Sequence, residues 1–365
     1  CSSDLFKDVA EASKLTADQI IRGMVPNIIH AVEKKVRLLD SSTVFSHRTS
    51  TGNACLDLTL GGGLAPGFHQ FSGFETSGKT TAGLTILGSV VGRSEIPVTF
   101  WDAENAGSSD PAYLQSVLRT VGVDADIEAL FGLRDGTGKT VIEARINYRD
   151  DPEGDMFFNW MLGVQKQLPD KRYIGEKWWY VFEDDKQKSN RAKIGRLIDD
   201  RMTRASNGGL YVPAENGDMQ MFVLLDSLPA LLPNDADDED PSKAIGMVAR
   251  MYSTNLPRIK GRLRKKRICL LGINQLRAIP MAMFGPKEKE PCGNAPAFYS
   301  DSRTRFTSRA SGMPLNPTFE KGFQMENSAE FENTKDVYRY IHAANTKSKL
   351  GSPRRQTWLR LWVED

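Results

Sequence analysis

The segment GFETSGKT, residues 73–80, is the feature that most limits which folds this chain can adopt. It fits the phosphate-loop pattern G-x-x-x-x-G-K-[S/T] in full, and the apolar strand pattern FHQFSG leads into it. A helical pattern follows over residues 80–91, and PVTFW then predicts the next strand. This alternation is typical of an α/β fold with a mostly parallel sheet. A chance glycine-rich turn is the alternative, and the flanking strand and helix disfavour it.

The residues of this loop suit the phosphates of a nucleotide. Backbone N–H groups of a tightly curled glycine loop form an anion nest, to which the positive end of the next helix adds. We expect Lys79 to reach the β- and γ-phosphates and the Thr80 hydroxyl to bind Mg²⁺, so ATP and Mg²⁺ are the predicted cofactors. The predicted nucleotide-binding residues of the loop are Gly73, Glu75, Thr76, Ser77, Gly78, Lys79, Thr80 and Thr81.

Two acidic residues follow predicted strands. Asp226 ends FVLLD, where a carboxylate can hold a water of the Mg²⁺ shell, so it is predicted as the metal-site acid beside Thr80. A cap or turn role would be the better interpretation without the phosphate loop. Glu104, in WDAEN, stands at the edge where α/β proteins bind ligands and can activate an attacking water. A solvated loop acid is the equal alternative for Glu104.

Composition limits the classes of partner. The 48 Lys and Arg residues nearly balance 46 Asp and Glu, so nucleic-acid binding would require a local basic patch. The four cysteines and four histidines are scattered, which predicts a reducing compartment and neither a disulfide framework nor a zinc site. No apolar run approaches about 20 residues and no signal peptide is visible. We therefore expect a cytoplasmic protein without membrane contact.

The apolar run from Ile268 to Ile273 predicts a core strand that ends in the amides Asn274 and Gln275. A loop rich in Met, Pro and Gly follows it. A core strand that ends in polar amides and continues into such a loop suggests communication between a buried site and a surface. The interpretation of this loop depends on the rest of the chain.

The chain is predicted to have three regions. A helical and strand segment over residues 1–48 is expected to mediate oligomerisation, and residues 49–365 form the core. Residues 140–218 interrupt this core with a mixture of aromatic and charged residues, which predicts an insertion. Its aromatic run, Trp178 to Phe182, favours a small hydrophobic core over a base-stacking surface. For Lys186 to Arg204, DNA contact and contact with another subunit or partner stay open.

Taken in order, several motifs resemble those of RecA-type recombinases, and the resemblance covers residues 50–365 apart from the insertion. The motifs are STGNACLDLTLGGGLAPG, GFETSGKTT, WDAENAGSSDPAYLQSVLRTVGVD, VLLDS, GMVARMYS, INQLRAIPMAMFG and GNAPAFYSDSRTRF. The chain is similar to bacteriophage recombinases of the RecA/UvsX kind. The resemblance implies a RecA-like P-loop ATPase core, with helices flanking a mostly parallel central sheet. It also implies the cytoplasm of a bacterial host cell if the protein is phage-encoded.

The resemblance also implies roles for individual residues. Glu104 matches the water-activating glutamate and Gln275 the glutamine that senses the γ-phosphate, so both join Lys79 as catalytic candidates. Asp110 and Tyr113 match adenine contacts, and Lys347 and Lys349 match lysines that reach ATP on a neighbouring subunit. DNA contacts are implied for Ile245, Arg250, Arg277, Met283, Phe284, Gly293 and Asn294, and a subunit interface for Phe298 and Arg303. Without the resemblance, Met283 and Phe284 would read as loop packing and the two lysines as a solvated turn.

The implied function is an ATP-dependent homologous recombinase, which is a DNA-dependent ATPase. It would form helical filaments on single-stranded DNA and exchange strands with a homologous duplex. Single-strand-binding and mediator proteins are further expected partners. One alternative is an accessory DNA-remodelling ATPase of the branch-migration or helicase-like kind, and another is a DNA-coating filament with vestigial turnover. Gln275 and its loop favour the recombinase, and intact Lys79, Thr80, Glu104 and Asp226 disfavour the vestigial filament.

Three departures from the family pattern are apparent. Cys292 stands where the family usually has the first of two glycines before an asparagine. Ala297 replaces an interface lysine, so sensing of a neighbour's nucleotide is expected to rest on Lys347 and Lys349. The family's small C-terminal domain is not expected after the last predicted strand.

Overall fold

The computed structural model separates two units, Cys1–Phe45 and Ser46–Asp365, and every described residue belongs to the second. The described residues are 48–105, 111–124, 126–174, 176–183, 203–204, 209–234, 241–279, 288–308, 338–349, 351 and 353–362. Apart from Arg48, the predicted oligomerisation segment therefore lies outside them. No helix in these ranges is both long and apolar enough to cross a bilayer.

The second unit alternates helices and strands. Its helices are α1 (Ala54–Leu60), α2 (Lys79–Arg93), α3 (Pro111–Arg119), α4 (Ile127–Phe131), α5 (Gly154–Gln167), α6 (Pro241–Leu263) and α7 (Ala295–Tyr299), with a 3-10 turn at Leu228–Ala230. The first strands are β1 (Gly67–Gly73), β2 (Val98–Asp102), β3 (Leu133–Arg134), β4 (Thr140–Ile142), β5 (Ile146–Arg149), β6 (Asp170–Ile174), β7 (Lys177–Phe182) and β8 (Thr203–Arg204). The others are β9 (Leu210–Ala214), β10 (Met221–Asp226), β11 (Ile268–Gln275), β12 (Arg277–Ala278), β13 (Glu288–Lys289), β14 (Ser302–Ser308), β15 (Tyr338–Ser348) and β16 (Gln356–Trp362).

Eight strands form the main sheet, in the order β16-β15-β14-β1-β11-β10-β2-β5. From β14 to β5 all neighbouring strands pair in parallel, whereas β15 and β16 are antiparallel at one edge. The predicted α/β fold with a mostly parallel sheet is therefore confirmed. The strands on both sides of the phosphate loop and the helix after it also lie where the sequence predicted them.

Both faces of the main sheet are covered, which explains why its central strands are apolar throughout. Because side chains alternate along a strand, Leu224 of β10 packs in the core beneath α2 and α3, whereas Val223 and Leu225 pack in the core beneath α5 and α6. Strand β11 divides in the same way, with Leu271 on the first face and Leu270 on the second. Packing in the two cores fixes the position of each strand along its own axis and therefore the position of its carboxyl end.

The predicted insertion contains two different parts. Strand β5 pairs in parallel with β2 at the edge of the main sheet, and Phe157 and Met161 of α5 belong to the second core. Strands β6, β7, β8 and β9 instead form a separate antiparallel sheet in the order β6-β7-β9-β8. A strand and a helix of the core thus lie within residues 140–218. The boundaries of the insertion remain a prediction.

The aromatic run of β7 is partly buried. Trp178, Val181 and Phe182 are buried, and the rings of Tyr173 and Trp178 lie 5.5 Å apart at their centroids. The guanidinium of Arg267 lies 5.1 Å from the Trp178 ring centroid. Burial does not follow a strict alternation, because adjacent Val181 and Phe182 are both buried. The arrangement agrees with a small hydrophobic core, while residues 186–202 lie outside the described ranges.

Candidate functional site

The carboxyl ends of four neighbouring strands meet at one edge of the main sheet. Strand β1 ends at Gly73, directly opposite Gln275 at the end of β11. Strand β10 ends at Asp226, opposite Asp102 at the end of β2. Parallel strands place their carboxyl ends together, which is where open α/β sheets bind ligands. The structure therefore gathers the phosphate loop, Glu104, Asp226 and Gln275, which are far apart in the sequence.

The phosphate loop depends on glycine at two positions. A side chain at Gly73 would place its Cβ 2.5 Å from both the Phe306 carbonyl oxygen and the Ser77 hydroxyl. Gly78 caps the start of α2 with a φ of 77°, the left-handed region that glycine adopts readily. Thr76 also has a positive φ, of 56°. Such alternation of backbone conformation turns N–H groups inward and produces an anion nest.

Lys79 is buried inside this loop. Its Nζ donates to the Phe74 carbonyl oxygen at 2.6 Å and to the Ser77 hydroxyl at 3.3 Å. Burial lowers the pKa of Lys79, whereas the carboxylates of Asp226, Glu104 and Glu75 oppose that shift. Both of these hydrogen-bond acceptors are neutral oxygens, so the buried ammonium can donate to a phosphate oxygen in their place.

Asp226 and Thr80 form the candidate metal site. The Asp226 carboxylate is 4% exposed, and the Thr80 side chain lies near it. Burial, together with the negative charges of Glu104 and Asp102, raises the pKa of Asp226 to about 7, against the opposing effects of Thr80 and Lys79. A hydroxyl and a buried carboxylate are hard oxygen ligands of the kind that Mg²⁺ takes.

These oxygens fit the predicted ion. In the described ranges, no three His, Cys, Asp or Glu side chains form a cluster that could hold a metal by themselves. At phosphate sites Mg²⁺ keeps several waters and needs only one or two protein carboxylates.

Glu104 lies between two donors. Its Oε1 accepts a hydrogen bond of 2.9 Å from Gln275 Nε2 and another from the Ser227 hydroxyl. The backbone N–H groups of Ala103 and Glu104 donate to the Asp226 carbonyl oxygen at 2.7 and 3.3 Å. Glu104 is thereby fixed to β10 and β11 at once. Sequence reasoning overlooked Ser227, although it directly follows Asp226 in VLLDS.

Tyr113 also reaches the phosphate-loop helix. Its hydroxyl lies 2.5 Å from Thr81 Oγ1, and the residue is 44% exposed. Asp110, the other predicted adenine contact, lies outside the described residues. A second tyrosine that the sequence did not single out, Tyr148 of β5, donates to Asp102 Oδ2 at 2.9 Å. Its only sequence signal was its place in a short strand within the region predicted as an insertion.

The loop after Gln275 is closed at its base by a short hairpin. Arg277 pairs with Lys289, and Ala278 pairs with Glu288. Arg277 is exposed, as is Arg250 on α6. Met283 and Phe284 lie outside the described residues, and so does the side chain of Ile245 in α6.

Gly293 and Asn294 line a cavity of about 450 Å³ beside this hairpin, together with Glu288, Glu290, Arg303 and Arg305 among others. Cys292 and Gly293 have φ values of 75° and 69°. The left-handed conformation costs a cysteine roughly 1 kcal/mol or more, which gives a physical reason for glycine in the family pattern at residue 292. The Cys292 side chain is nevertheless buried in the second core.

The remaining predicted residues converge on α7. Phe298 is 68% exposed, and the Nζ of Lys349 lies 5.9 Å from the centroid of its ring. The Nζ of Lys347 donates at 2.7 Å to the carbonyl oxygens of both Ala297 and Phe298. Burial lowers the pKa of Lys347 to about 8, and the positive charges of Lys349 and Arg303 lower it further. Arg303 itself donates to Glu290.

Comparisons with known proteins point in the same direction. A family model described as the RecA N-terminal domain matches residues 213–316. Protein RecA of Nostoc sp. is 27% identical over 270 residues, which are 73% of this chain and 55% of that protein. Protein RecA of Aquifex aeolicus is 27% identical over 256 residues, or 69% of this chain and 52% of that protein. Protein RecA of Borrelia hermsii is 42% identical over 83 residues, or 22% and 23%.

A solved structure of a RadB recombinase aligns with 86% of this chain and 95% of that chain, at 15% identity and a TM-score of 0.38. The chain spans about half the length of the first RecA proteins it matches. The RecA family model and the RecA relatives support a relationship with the RecA family of recombinases, at modest identity.

Proposed function

We propose that this protein is an ATP-dependent homologous recombinase of the RecA kind. It assembles into a helical filament on single-stranded DNA, hydrolyses ATP in a DNA-dependent manner, and exchanges strands with a homologous duplex. The resemblance to bacteriophage recombinases, and with it work in a bacterial host cytoplasm, forms part of this proposal. Single-strand-binding and mediator proteins are proposed as its accessory partners.

One observation carries the proposal: the 2.9 Å hydrogen bond from Gln275 to Glu104. Glu104 stands beside Asp226 in the candidate nucleotide site, whereas Gln275 ends a core strand that continues into the loop after it. A change of nucleotide state at Glu104 can therefore change the partner of Gln275 at the root of that loop. Two linked sites with different ligands are what an ATP-gated DNA binder requires.

The residues of the site then take distinct roles. Lys79 binds the β- and γ-phosphates, while Thr80 and Asp226 hold Mg²⁺, which when bound offsets negative charge on the phosphates. Glu104 accepts a proton from the attacking water, and its fixed position between Ser227 and Gln275 orients it for that transfer. Tyr113, whose hydroxyl lies 2.5 Å from Thr81 Oγ1, would stack on adenine.

A filament requires contact between neighbouring subunits, and the residues around α7 are our candidates for that contact. Phe298 is a large aromatic side chain exposed on a short helix, with Lys347 and Lys349 directed to the same helix. We propose that Phe298 and Arg303 contact the next subunit and that the two lysines reach its ATP. Arg250, Arg277, Gly293 and Asn294 would contact DNA, together with Ile245, Met283 and Phe284.

Formation of a displacement loop tests the function. The purified protein, a homologous single strand and a supercoiled duplex should yield paired product with ATP and Mg²⁺ and none without ATP. DNA-stimulated ATP turnover without any pairing would contradict the recombinase and support an accessory remodelling ATPase. Pairing that does not depend on ATP would contradict the proposed link between the two sites.

The variant Gln275→Ala tests that link directly. It should bind ATP with near-normal affinity and lose most of the stimulation by single-stranded DNA. Gln356→Ala, which alters an exposed glutamine of β16, is the matched control and should behave as the unmodified protein. Full stimulation in Gln275→Ala would refute the role of this side chain.

A further inference from the structure

Glu290 follows the return strand of the loop hairpin and contacts three strands of the main sheet. Its Oε2 accepts hydrogen bonds from Gln70 Nε2 of β1 at 2.8 Å and from Asn274 Nδ2 of β11 at 3.5 Å. Its Oε1 accepts from Arg303 of β14. The side chain of Glu290 is 12% exposed, and Gln70 and Asn274 are fully buried. One carboxylate therefore joins the end of the hairpin to β1, β11 and β14.

Asn274 connects this carboxylate to the candidate nucleotide site. Its Oδ1 accepts the backbone N–H of Gln275 at 2.9 Å, while its Nδ2 donates to Glu290. The Gln275 side chain in turn donates to Glu104. A hydrogen-bonded series thus runs from Glu104 through Gln275 and Asn274 to Glu290. Because the Asn274 side chain is buried, it cannot exchange these partners for water.

A second ion pair on the same cavity wall lacks these connections. Glu288 pairs with Arg305, in the same way as Glu290 pairs with Arg303, but their side chains are 30% and 39% exposed. Both pairs join the hairpin to β14. Of the two acids, only Glu290 also contacts β1 and β11 in the described part of the chain. The two glutamates therefore make a matched comparison.

We propose that Glu290 is a positioning residue that couples the nucleotide state read by Gln275 to the hairpin of β12 and β13 at the base of the following loop. The outgoing strand of the hairpin is continuous with Gln275, and Glu290 holds the return strand to the same three-stranded support. Both ends of the loop then respond to one rearrangement at the site. This inference rests on the proposed function, because it assigns a means of coupling to the same site.

The first experiment compares Glu290→Ala, Glu290→Gln and Glu288→Ala by ATP turnover. Coupling between sites is commonly worth a factor of roughly 5 to 150. We expect Glu290→Ala to lose at least about 5-fold of the DNA stimulation, while basal turnover and the affinity for a fluorescent ATP analogue stay within about 2-fold. Glu288→Ala should retain the stimulation. Equal losses in the two alanine variants would overturn the assignment to Glu290.

Glu290→Gln separates positioning from charge. It keeps an oxygen that can accept from Gln70 and Asn274 and loses the ion pair with Arg303, so it should recover most of the coupling. A loss as large as that of Glu290→Ala would overturn the route through Asn274. Circular dichroism and thermal unfolding of each variant establish that the fold is retained. If Glu290→Ala unfolds, Glu290→Asp takes its place, because its shorter side chain withdraws the carboxylate from Gln70 and Asn274, and it should lose the stimulation that Glu288→Ala retains.

Hydrogen exchange distinguishes failure of this inference from failure of the proposed function. Amides of residues 276–279 and 288–291 are measured with and without a non-hydrolysable ATP analogue and Mg²⁺, in the absence of DNA. The unmodified protein should show protection that depends on the analogue, and Glu290→Ala should lose it. Undiminished protection in Glu290→Ala, or none in the unmodified protein, would overturn the inference. Absence of DNA-stimulated turnover would contradict only the proposed function.

Discussion

Strand β1 has buried charged groups beyond both of its ends, and the two groups differ in how their charges are compensated. At the amino end, Asp301 accepts hydrogen bonds from the Phe68 backbone N–H at 2.9 Å, from Arg264 at 2.6 Å and from Lys260. Gly67 begins the strand because a Cβ there would lie 2.2 Å from Asp301 Oδ2. This carboxylate has two cations and a backbone donor of its own.

At the carboxyl end, the acids outnumber the base. Asp102, Glu104 and Asp226 lie close enough together that Asp102 and Glu104 raise the pKa of Asp226, and Lys79 alone opposes them among the described basic side chains around Asp226. Like charges held this close together, two of them on the buried side chains of Asp102 and Asp226, cost free energy that folding alone does not require. The difference suggests a structural role for Asp301 and a ligand site at the other end, where a cation such as Mg²⁺ would offset the excess negative charge.

Among the substitutions that test this comparison, replacement of Lys79 should have the largest effect. Lys79→Ala removes the cation that faces the phosphates, so ATP turnover should fall by at least about 100-fold, the scale of losing one electrostatic contact in an active site. Lys139→Ala, at an exposed turn, should leave turnover unchanged. Steady-state phosphate release measures both. Turnover near normal in a folded Lys79→Ala protein would show that the carboxyl end is not the nucleotide site.

Glu104→Gln should have the next largest effect. The amide retains an oxygen for Ser227 and Gln275 but cannot take a proton from water, so hydrolysis should slow by roughly 10²- to 10⁴-fold. Binding of a fluorescent ATP analogue should persist. Glu95→Gln, at an exposed position, is the control. If the folded Glu104→Gln protein loses nucleotide binding instead, Glu104 holds the ligand and does not activate water.

At the opposite end, Asp301→Asn should impair stability. It leaves Lys260 and Arg264 beside a neutral amide, and removing one partner of a buried ion pair costs about 3–5 kcal/mol. Urea unfolding measures the free energy directly. Asp124→Asn is the control, because Asp124 pairs with Arg119 at the surface, where such pairs contribute less than about 1 kcal/mol. Equal stability of the two variants would contradict the structural role of Asp301.

The sequence predicted the carboxyl end far better than the amino end. GFETSGKT is a contiguous motif whose chemistry is tied to its spacing, and Asp226 and Glu104 follow recognisable strands. Asp301 stands in GNAPAFYSDSRTRF, where the sequence predicted no role for it, and it bonds to Phe68 across 233 residues of sequence. Lys260 and Arg264 lie in the basic segment RIKGRLRKKR, at and just beyond the end of α6, and nothing in that segment predicts their shared partner. Contacts between residues so far apart in the sequence depend on how the strands pair in the sheet. A local sequence pattern does not predict that pairing.

The core elements within the predicted insertion were hidden for a different reason. Strand β5 has four residues, and although Ile146 and Tyr148 alternate with exposed Asn147 and Arg149, four residues are the shortest run in which alternation indicates a strand. Helix α5 buries Phe157, Phe158, Met161 and Leu162 at helical spacing, but Met156, Trp160 and Val164 add apolar residues outside that stripe and blur the pattern. A deletion of residues 140–218 would therefore remove part of the second core. A test of the antiparallel sheet alone would have to spare residues 146–167.

The smallest effect we predict is a pH dependence at the amino end. His69 is buried in β1, with Nδ1 2.7 Å from Ser302 Oγ and Nε2 2.6 Å from the Ala65 carbonyl oxygen. Burial, together with the nearby charges of Lys260, Arg264 and Arg48, lowers the pKa of His69 to about 4, against the opposing effect of the Ala65 hydrogen bond. The unfolded chain binds this proton near pH 6.5, whereas the folded protein does not until about pH 4.

The stability that His69 contributes should therefore be complete above about pH 6.5 and decline as pH falls to 4, by up to about 3 kcal/mol. His69→Gln removes the titrating group, so its free energy of unfolding should fall less than that of the unmodified protein over this range. His342→Gln, on the half-buried surface of β15, should keep the original pH dependence. Urea unfolding at pH 7, 6, 5 and 4 measures all three proteins. The same decline in His69→Gln would place the acid sensitivity elsewhere, among the carboxylates of the opposite end.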